Sequence, residues 1–342
     1  MTDEFRQTLL SCLADHRKRY PSMERADIVK LVFQGMLGVG HLLGDRVAVT
    51  DSIAREAAAL RPDAGEPLLE PLSPAWCRLN LRRALAEGLS PSVIAGLMLA
   101  SEPGPAFSRA EVLDLCRTLL PADTQELARI REPDWLPGHS AAYRERYRPA
   151  YRVISADWAA RMAAVTAIAR LWPDRLLVTL DGPCATGKTT LARRLAVVFQ
   201  ASLLHTDDFV IPHAQKTPER LAVPGGNCDA ERLTREVLLP WKQGLPAVVR
   251  RYDCSADRLL PAETLPGGGV LILEGSYCNL PAIRALADVR LFLEASWDVR
   301  EARLRTRESA ASLQRFYDRW IPLENAYFEA CRLPDRDCIR IT

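Results

Sequence analysis

Arg175-Leu176-Leu177-Val178-Thr179-Leu180-Asp181-Gly182-Pro183-Cys184-Ala185-Thr186-Gly187-Lys188-Thr189-Thr190 is the stretch on which the reading of this chain turns. Its opening apolar run, Arg175 to Leu180, is long enough only for a buried strand. The residues from Gly182 to Thr189 then match G-x-x-x-x-G-K-[ST] in full. Each fixed position has a chemical reason. Glycines let the backbone fold so that successive N–H groups point inward at phosphate oxygens, and the start of a helix adds its dipole. Lys188 supplies a compact positive charge for the β- and γ-phosphates, and the Thr189 hydroxyl is placed for Mg²⁺. Gly182, Pro183, Cys184, Ala185, Thr186, Gly187, Lys188, Thr189 and Thr190 are therefore the candidate nucleotide-binding residues, and ATP with Mg²⁺ the expected cofactors.

Downstream, short apolar runs recur at Ser202–His205, Ala247–Arg250, Val270–Leu273, Val289–Leu293 and Cys338–Ile341, with helical segments such as Thr190–Phe199 and Glu231–Trp241 between most of them. Alternation of strand and helix predicts an α/β domain whose parallel sheet is covered on both faces. Gly267-Gly268-Gly269 reads as a tight entry to the next strand. In such sheets the working groups gather beyond the C-terminal strand ends. Asp207 and Asp208 follow one such end, where a carboxylate can accept a proton from a hydroxyl or orient Mg²⁺. Glu274 follows another. Thr189, Glu274 and Asp207 are the candidate metal residues. Arg300, Arg303 and Arg307 fall at i, i+3 and i+7 of a predicted helix, a face suited to closing over a triphosphate. Lys188, Asp207, Arg303 and Arg307 are the candidate catalytic residues.

Before residue 173 the pattern differs. Apolar residues recur at helical spacing in Ile28–Val32–Met36, Val93–Leu97 and Val112–Leu115–Leu119. Ser108 with Glu111 is a capping box, and frequent prolines, Pro103 and Pro121 among them, divide the segment into helices of ordinary length. No strand stands out, so residues 1–172 are expected to be all-α and residues 173–342 α/β. Gly35-x-x-Gly38-x-Gly40-His41 follows a helical pattern and reads as a helix end and turn. Tyr143-Arg144, Tyr147-Arg148 and Tyr151-Arg152 recur every four residues after His139-Ser140. If helical throughout they would line up aromatic and guanidinium stripes, although Pro149 interrupts that geometry. Aromatic packing with snorkelling arginines is the favoured reading, and contact with substrate or RNA the alternative.

At 342 residues the chain exceeds what one hydrophobic core usually serves, in keeping with two domains. Its formal net charge of +2 gives no strong field toward nucleic acid or anionic membrane. Nine scattered cysteines form no C-x-x-C pair, so reduced thiols in a cytoplasmic protein are expected. No apolar run approaches the ~18 residues of a membrane span.

With those pieces placed, residues 175–342 resemble the uridine kinase, phosphoribulokinase and pantothenate kinase superfamily of P-loop kinases. The order of parts carries the resemblance: the phosphate loop, the strand end with Asp207-Asp208-Phe209, Arg251-Tyr252-Asp253 after a strand, Leu273-Glu274-Gly275, then the arginine helix. A bacterial subset called uridine kinase-like is similar also in Pro224-Gly225-Gly226-Asn227-x-Asp229 and in Trp320-Ile321-Pro322-Leu323-Glu324. The resemblance implies a P-loop NTPase fold, Asp207 as general base, and Asp208, Arg251, Tyr252 and Asp253 beside the acceptor. Two departures bear on the acceptor. With Asp229 aligned to the last acidic residue of the uridine kinases' ribose-holding stretch, Gly226 stands where the ribose contact belongs. Cys254-Ser255-Ala256-Asp257 replaces the segment that carries their histidine.

The expected function is ATP-dependent phosphoryl transfer to a hydroxyl of a small molecule, a nucleoside or similar metabolite. A polynucleotide kinase whose helical half binds RNA is one alternative, against which the near-neutral charge weighs. An ATP-sensing regulator is another, but a sensor has no need of the Asp207, Glu274 and arginine set. No Asn-Lys-x-Asp motif is present to read guanine.

Overall fold

Ile28, Val32 and Met36 lie buried on one helix, Arg25–Leu37, as their spacing predicts. The same holds for Val93 and Leu97 on Pro91–Leu99, and for Val112 and Leu115 on Arg109–Leu119, whose capping box joins Ser108 and Glu111 reciprocally. The structure is a computed structural model that describes residues 1–38, 44–101, 104–120, 125–172 and 175–342. It divides into two units, Met1–Arg161 and Met162–Thr342. Gly40, His41, Pro103, Pro121 and Pro173 lie outside the described residues. Gly35 belongs to the helix Arg25–Leu37 and Gly38 caps it with φ +60°, so the glycine-rich segment begins as a helix end.

The expectation of an all-helical first half needs correction. Strands β1 (Leu69–Pro71), β2 (Trp76–Asn80) and β3 (Tyr151–Ser155) form a three-stranded antiparallel sheet in the first unit. Their brevity hides them: β1 is three residues long and ends in a proline, and neither β2 nor β3 alternates cleanly between apolar and polar residues. The Tyr/Arg series spans two kinds of structure. Tyr143 and Tyr147 lie on the helix Ala141–Tyr147, Arg148 turns the chain with φ +43°, and Tyr151 opens β3. Tyr143 and Tyr147 pack with Tyr20 at ring-centroid distances of 4.9 to 5.5 Å.

In the second unit, β4 (Leu176–Asp181) is the centre of a five-stranded parallel sheet, and every residue of it is buried. Next along the chain come β5 (Ser202–His205), β6 (Ala247–Val249), β7 (Tyr252–Asp253), β8 (Arg258–Leu259), β9 (Glu263–Leu265), β10 (Val270–Glu274), β11 (Val289–Leu293) and β12 (Ile339–Ile341). The sheet runs β12-β11-β4-β10-β5. β6 stands outside it, contrary to the simple alternation read from the sequence. It pairs antiparallel with β9, and β7 pairs with β8, so the segment folds back on itself as local ribbons. This is the α/β P-loop NTPase architecture. The helix Met162–Leu171, which lies before residue 172, packs on β4, β11 and β12 and belongs to this unit.

Alternation along the strands assigns the two faces. Leu177 of β4, Leu204 of β5 and Leu271 and Leu273 of β10 enter a core with Phe209, Leu233, Trp241 and Tyr327. Their neighbours Ile272, Glu274 and His205 therefore face the other way, toward the helix Lys188–Phe199, which packs on β4, β5 and β10. Ile272 is fully buried at the middle of this second face. Replacing Ile272 by alanine is expected to cost about 2 to 5 kcal/mol, read as an earlier urea-unfolding transition of the second unit.

Candidate active site

The phosphate loop leaves β4 at Asp181 and enters the helix Lys188–Phe199 through Gly187. Gly182 has φ +139°, and a Cβ there would lie 2.1 Å from the carbonyl oxygen of Leu293 at the end of β11. Glycine is required by that close approach. The amides of Gly187, Lys188 and Thr189 have no acceptor among the described residues, which is the state of a helix N-terminus open to an anion. The Lys188 ammonium donates to the carbonyls of Gly182 at 2.7 Å and Pro183 at 3.0 Å. A cation lying across carbonyls beside open amides fits the phosphate chain of a nucleotide.

Register brings the carboxylates in. Glu274, the last residue of β10, stands opposite Leu180 of β4 and His205 of β5. Because its face is that of the helix Lys188–Phe199, it meets Thr189, whose hydroxyl donates to its Oε1 at 2.8 Å. His205 Nδ1 reaches the same oxygen at 2.5 Å. That hydrogen bond raises the His205 imidazole above its ordinary range against burial, with Asp208 and Asp207 adding to the rise. A hydroxyl and a buried carboxylate side by side are hard oxygen donors of the kind Mg²⁺ takes, with water and phosphate oxygens completing its shell. The structure thus brings Thr189 and Glu274 together.

Asp207 and Asp208 lie on the 3₁₀ turn Thr206–Phe209 that follows β5. Asp207 is open to solvent on one side. Desolvation by the protein around it raises its carboxyl above the ordinary range, Lys188 opposes this, and Glu274, Asp208 and Glu324 reinforce it. Asp208 accepts from Arg251 Nε at 3.1 Å, while Arg251 also holds Glu263 at 2.6 Å. Asp208 and Arg251 are therefore paired beside Asp207. Tyr252 and Asp253 are engaged elsewhere: the Tyr252 hydroxyl donates to Asp257, and the Asp253 carboxylate closes its own turn on the amides of Ser255 and Ala256.

Of the arginine helix Trp297–Arg307, Arg303 donates to the loop carbonyls of Ala185 at 3.0 Å and Thr186 at 2.8 Å. Arg300 donates to that of Cys184 at 2.8 Å. Arg307 is exposed, paired with Glu308 at 2.6 Å and lying over Phe316. Arg303 and Arg300 thus sit on the loop, and Arg307 does not touch it.

Several residues that hold the site lie outside the candidate set. Asp181 is fully buried. It accepts from the Gly182 amide, the Tyr327 hydroxyl and both the amide and side chain of Asn279. Glu324 accepts from the Cys184 amide at 2.9 Å and from the Ser276 hydroxyl. Glu324 and Tyr327 are three apart on the helix Ile321–Cys331, hence on one face. That spacing is the signal in the sequence, since Glu324 ends the Trp320–Glu324 segment. The Pro224–Asp229 segment is structural. Asp229 caps the helix Ala230–Arg232 and pairs with Arg232 at 2.9 Å, and a Cβ on Gly226 would lie 1.9 Å from the Arg220 carbonyl oxygen. No side chain fits at 226 without a backbone shift, so that position offers no side-chain contact to a ribose.

No family model matches the chain, and no curated protein matches it. Solved structures similar to it include a possible uridine kinase from Bacillus stearothermophilus, at 21% identity over 54% of this chain and 97% of that one, with a TM-score of 0.43. A fructose transport system kinase, assigned provisionally, from Silicibacter sp. TM1040 is 25% identical over 54% of this chain and 98% of that one, also with a TM-score of 0.43.

Replacing Glu324 by alanine removes the acceptor that fixes the loop at Cys184. We expect Mg-ATP affinity to fall about tenfold, near 1.4 kcal/mol, in a fluorescence titration, with the unfolding midpoint checked alongside.

Proposed function

We propose that this chain transfers the γ-phosphoryl group of Mg-ATP to a hydroxyl of a small metabolite, with a nucleoside or similar polyol as the acceptor class. The observation that carries the reading is the convergence of Lys188, the Thr189–Glu274 pair and Asp207 at one end of the parallel sheet.

Lys188 would exchange the carbonyls of Gly182 and Pro183 for β- and γ-phosphate oxygens, and the open amides of Gly187, Lys188 and Thr189 would bind the phosphate chain. Thr189 and Glu274 would hold Mg²⁺, which when bound neutralises charge on the bridging phosphates. Asp207 accepts the proton of the acceptor hydroxyl as its oxygen attacks the γ-phosphorus and the bond to ADP breaks. A carboxyl raised above the usual range is the better base for that step. Arg303, released from the loop carbonyls, would meet charge spreading over the transferring group. The Asp208–Arg251 pair borders the space where the acceptor would lie.

Catalysis of this type is mostly positioning and electrostatics. Lys188→Ala is expected to raise the barrier by about 3 kcal/mol, a rate loss on the order of 100-fold, measured as acceptor-dependent ADP release. Turnover within a factor of two of the parent would sink the assignment. Asp207→Asn should abolish acceptor-dependent ADP release from a panel of nucleosides, sugars and vitamins while Mg-ATP affinity is retained. If the Asn variant phosphorylates the same acceptor at the parent rate, Asp207 is not the base.

A further inference from the structure

The first unit carries a half-open pocket of about 520 Å³. Its polar wall carries Lys30 and Gln34 from the helix Arg25–Leu37 and His139 and Tyr151, and its apolar wall includes Val49 and Met98. The polar groups form a chain with one consistent set of proton positions. Asp27 is fully buried and accepts from the amides of Glu24 and Ser140, the Ser140 hydroxyl and His139 Nδ1 at 2.7 Å. Burial and the nearby Lys30 and Arg78 cations lower His139 to about 4, against the pull of Asp27, so the ring is neutral at pH 7. With its one N–H given to Asp27, His139 Nε2 accepts from the Tyr151 hydroxyl at 2.6 Å. Gln34 Oε1 accepts from buried Arg78 at 3.0 Å and stands 3.3 Å from the Tyr151 hydroxyl. The Arg78 hydrogen bond fixes the amide with its oxygen inward.

Two donors are left over on the cavity wall. The Gln34 side-chain N–H groups have no acceptor among the described residues, and the Lys30 ammonium makes no hydrogen bond or ion pair among them. Burial, with Arg78 and Arg144 nearby and Asp27 opposing, brings Lys30 down to about 8, so it remains largely a cation at pH 7 with no ion-pair partner among the described residues. The other cation on the wall, Arg152, is already spent on Glu56 at 2.8 Å. One surplus positive charge and a second donor, facing an apolar wall, match a single carboxylate on an apolar body. A phosphate dianion would need more cations than the wall has in surplus.

We propose that the first unit carries a second small-molecule site, in which the Lys30 ammonium and the Gln34 amide hold the carboxylate of an organic monoacid whose apolar part lies against Val49 and Met98. Arg78 is the positioning residue that sets the Gln34 amide, and Asp27, His139 and Tyr151 form the polar chain beside it. The site is separate from the phosphotransfer reading and does not depend on it.

The test uses the full chain, with hexanoate and benzoate as probes, hexanamide as the uncharged control, and inorganic phosphate as the competing anion, observed by ligand-detected NMR. Saturable binding of a carboxylate below about 10 mM is expected for a fragment of this size, at least tenfold tighter than hexanamide. Lys30→Met should weaken it at least tenfold and Lys30→Arg should retain it. Ala48→Trp, which fills the cavity from a solvent-exposed position on its wall, should abolish it with the charge intact. Mg-ATP titration of the same variants should be unchanged, which separates this site from the phosphate loop, and an unchanged thermal unfolding profile of the first unit reports folding. No saturable carboxylate binding below about 10 mM, equal binding by Lys30→Met, or tighter binding of inorganic phosphate would each overturn the proposal.

Discussion

The buried carboxylate of Asp181 is the constraint on which the second unit depends. It ends the central strand and receives donors from three directions: the loop at Gly182, the turn at Asn279 and the C-terminal helix at Tyr327. An ionised group in that position costs several kcal/mol unless hydrogen bonds compensate it. Burial still wins, and the carboxyl is held above its ordinary range despite those donors. Each partner is thereby fixed in place, because moving any of them strands a buried polar group. The chain beyond Asn279 is tied in as well, since the Asn279 side chain also accepts from Thr179 at 3.0 Å.

From that anchor the rest of the site follows by strand geometry. A side chain two residues along a strand returns to the same face, so Thr179 and Asp181 look toward Tyr327 and the large core. On β10 the alternate face puts Glu274 beside the helix that the phosphate loop begins, where Thr189 meets it. A slip of one residue in the β4–β10 pairing would send Glu274 to the wrong side of the sheet. The arginines then act from above: Arg300 and Arg303 hold the carbonyls of the loop, while Glu324 and Asp181 hold amides at Cys184 and Gly182. The loop is thus gripped by its donors and its acceptors, which is preorganisation of the kind the proposed phosphoryl transfer would rely on.

The first unit is organised around another buried aspartate. Asp27 opens the helix Arg25–Leu37 by a reciprocal bond with Glu24, and reaches across to His139 and Ser140, more than a hundred residues later. Tyr143 stacks on His139 at 4.3 Å, and Tyr20 and Tyr147 complete the aromatic group. The tyrosines of the Tyr/Arg series are thus part of the unit's interior packing and of its polar chain.

What the sequence determined by itself is whatever is encoded locally. The phosphate loop is contiguous, its glycines and lysine have fixed spacing, and the strands from Leu176, Val270 and Val289 are mostly apolar because a parallel sheet is buried on both faces. Asp207, Glu274 and the Arg300–Arg303 face were legible for the same reason, as carboxylates at strand ends and arginines at helical spacing. Tertiary structure decided the rest. β1 closes on β2 as a short hairpin and β3 joins β2 from far along the chain, and the local pattern of none of them announces it. Arg303 and Arg307 are equivalent by spacing, yet the helix axis carries one over the loop and leaves the other in solvent. Asp181, Asn279, Glu324 and Tyr327, and likewise Asp27, His139 and Gln34, become a site only when distant segments close on one buried charge. The spacing of Glu324 and Tyr327 records only a fragment of that, because the energy that selects it comes from satisfying polar groups in the folded interior.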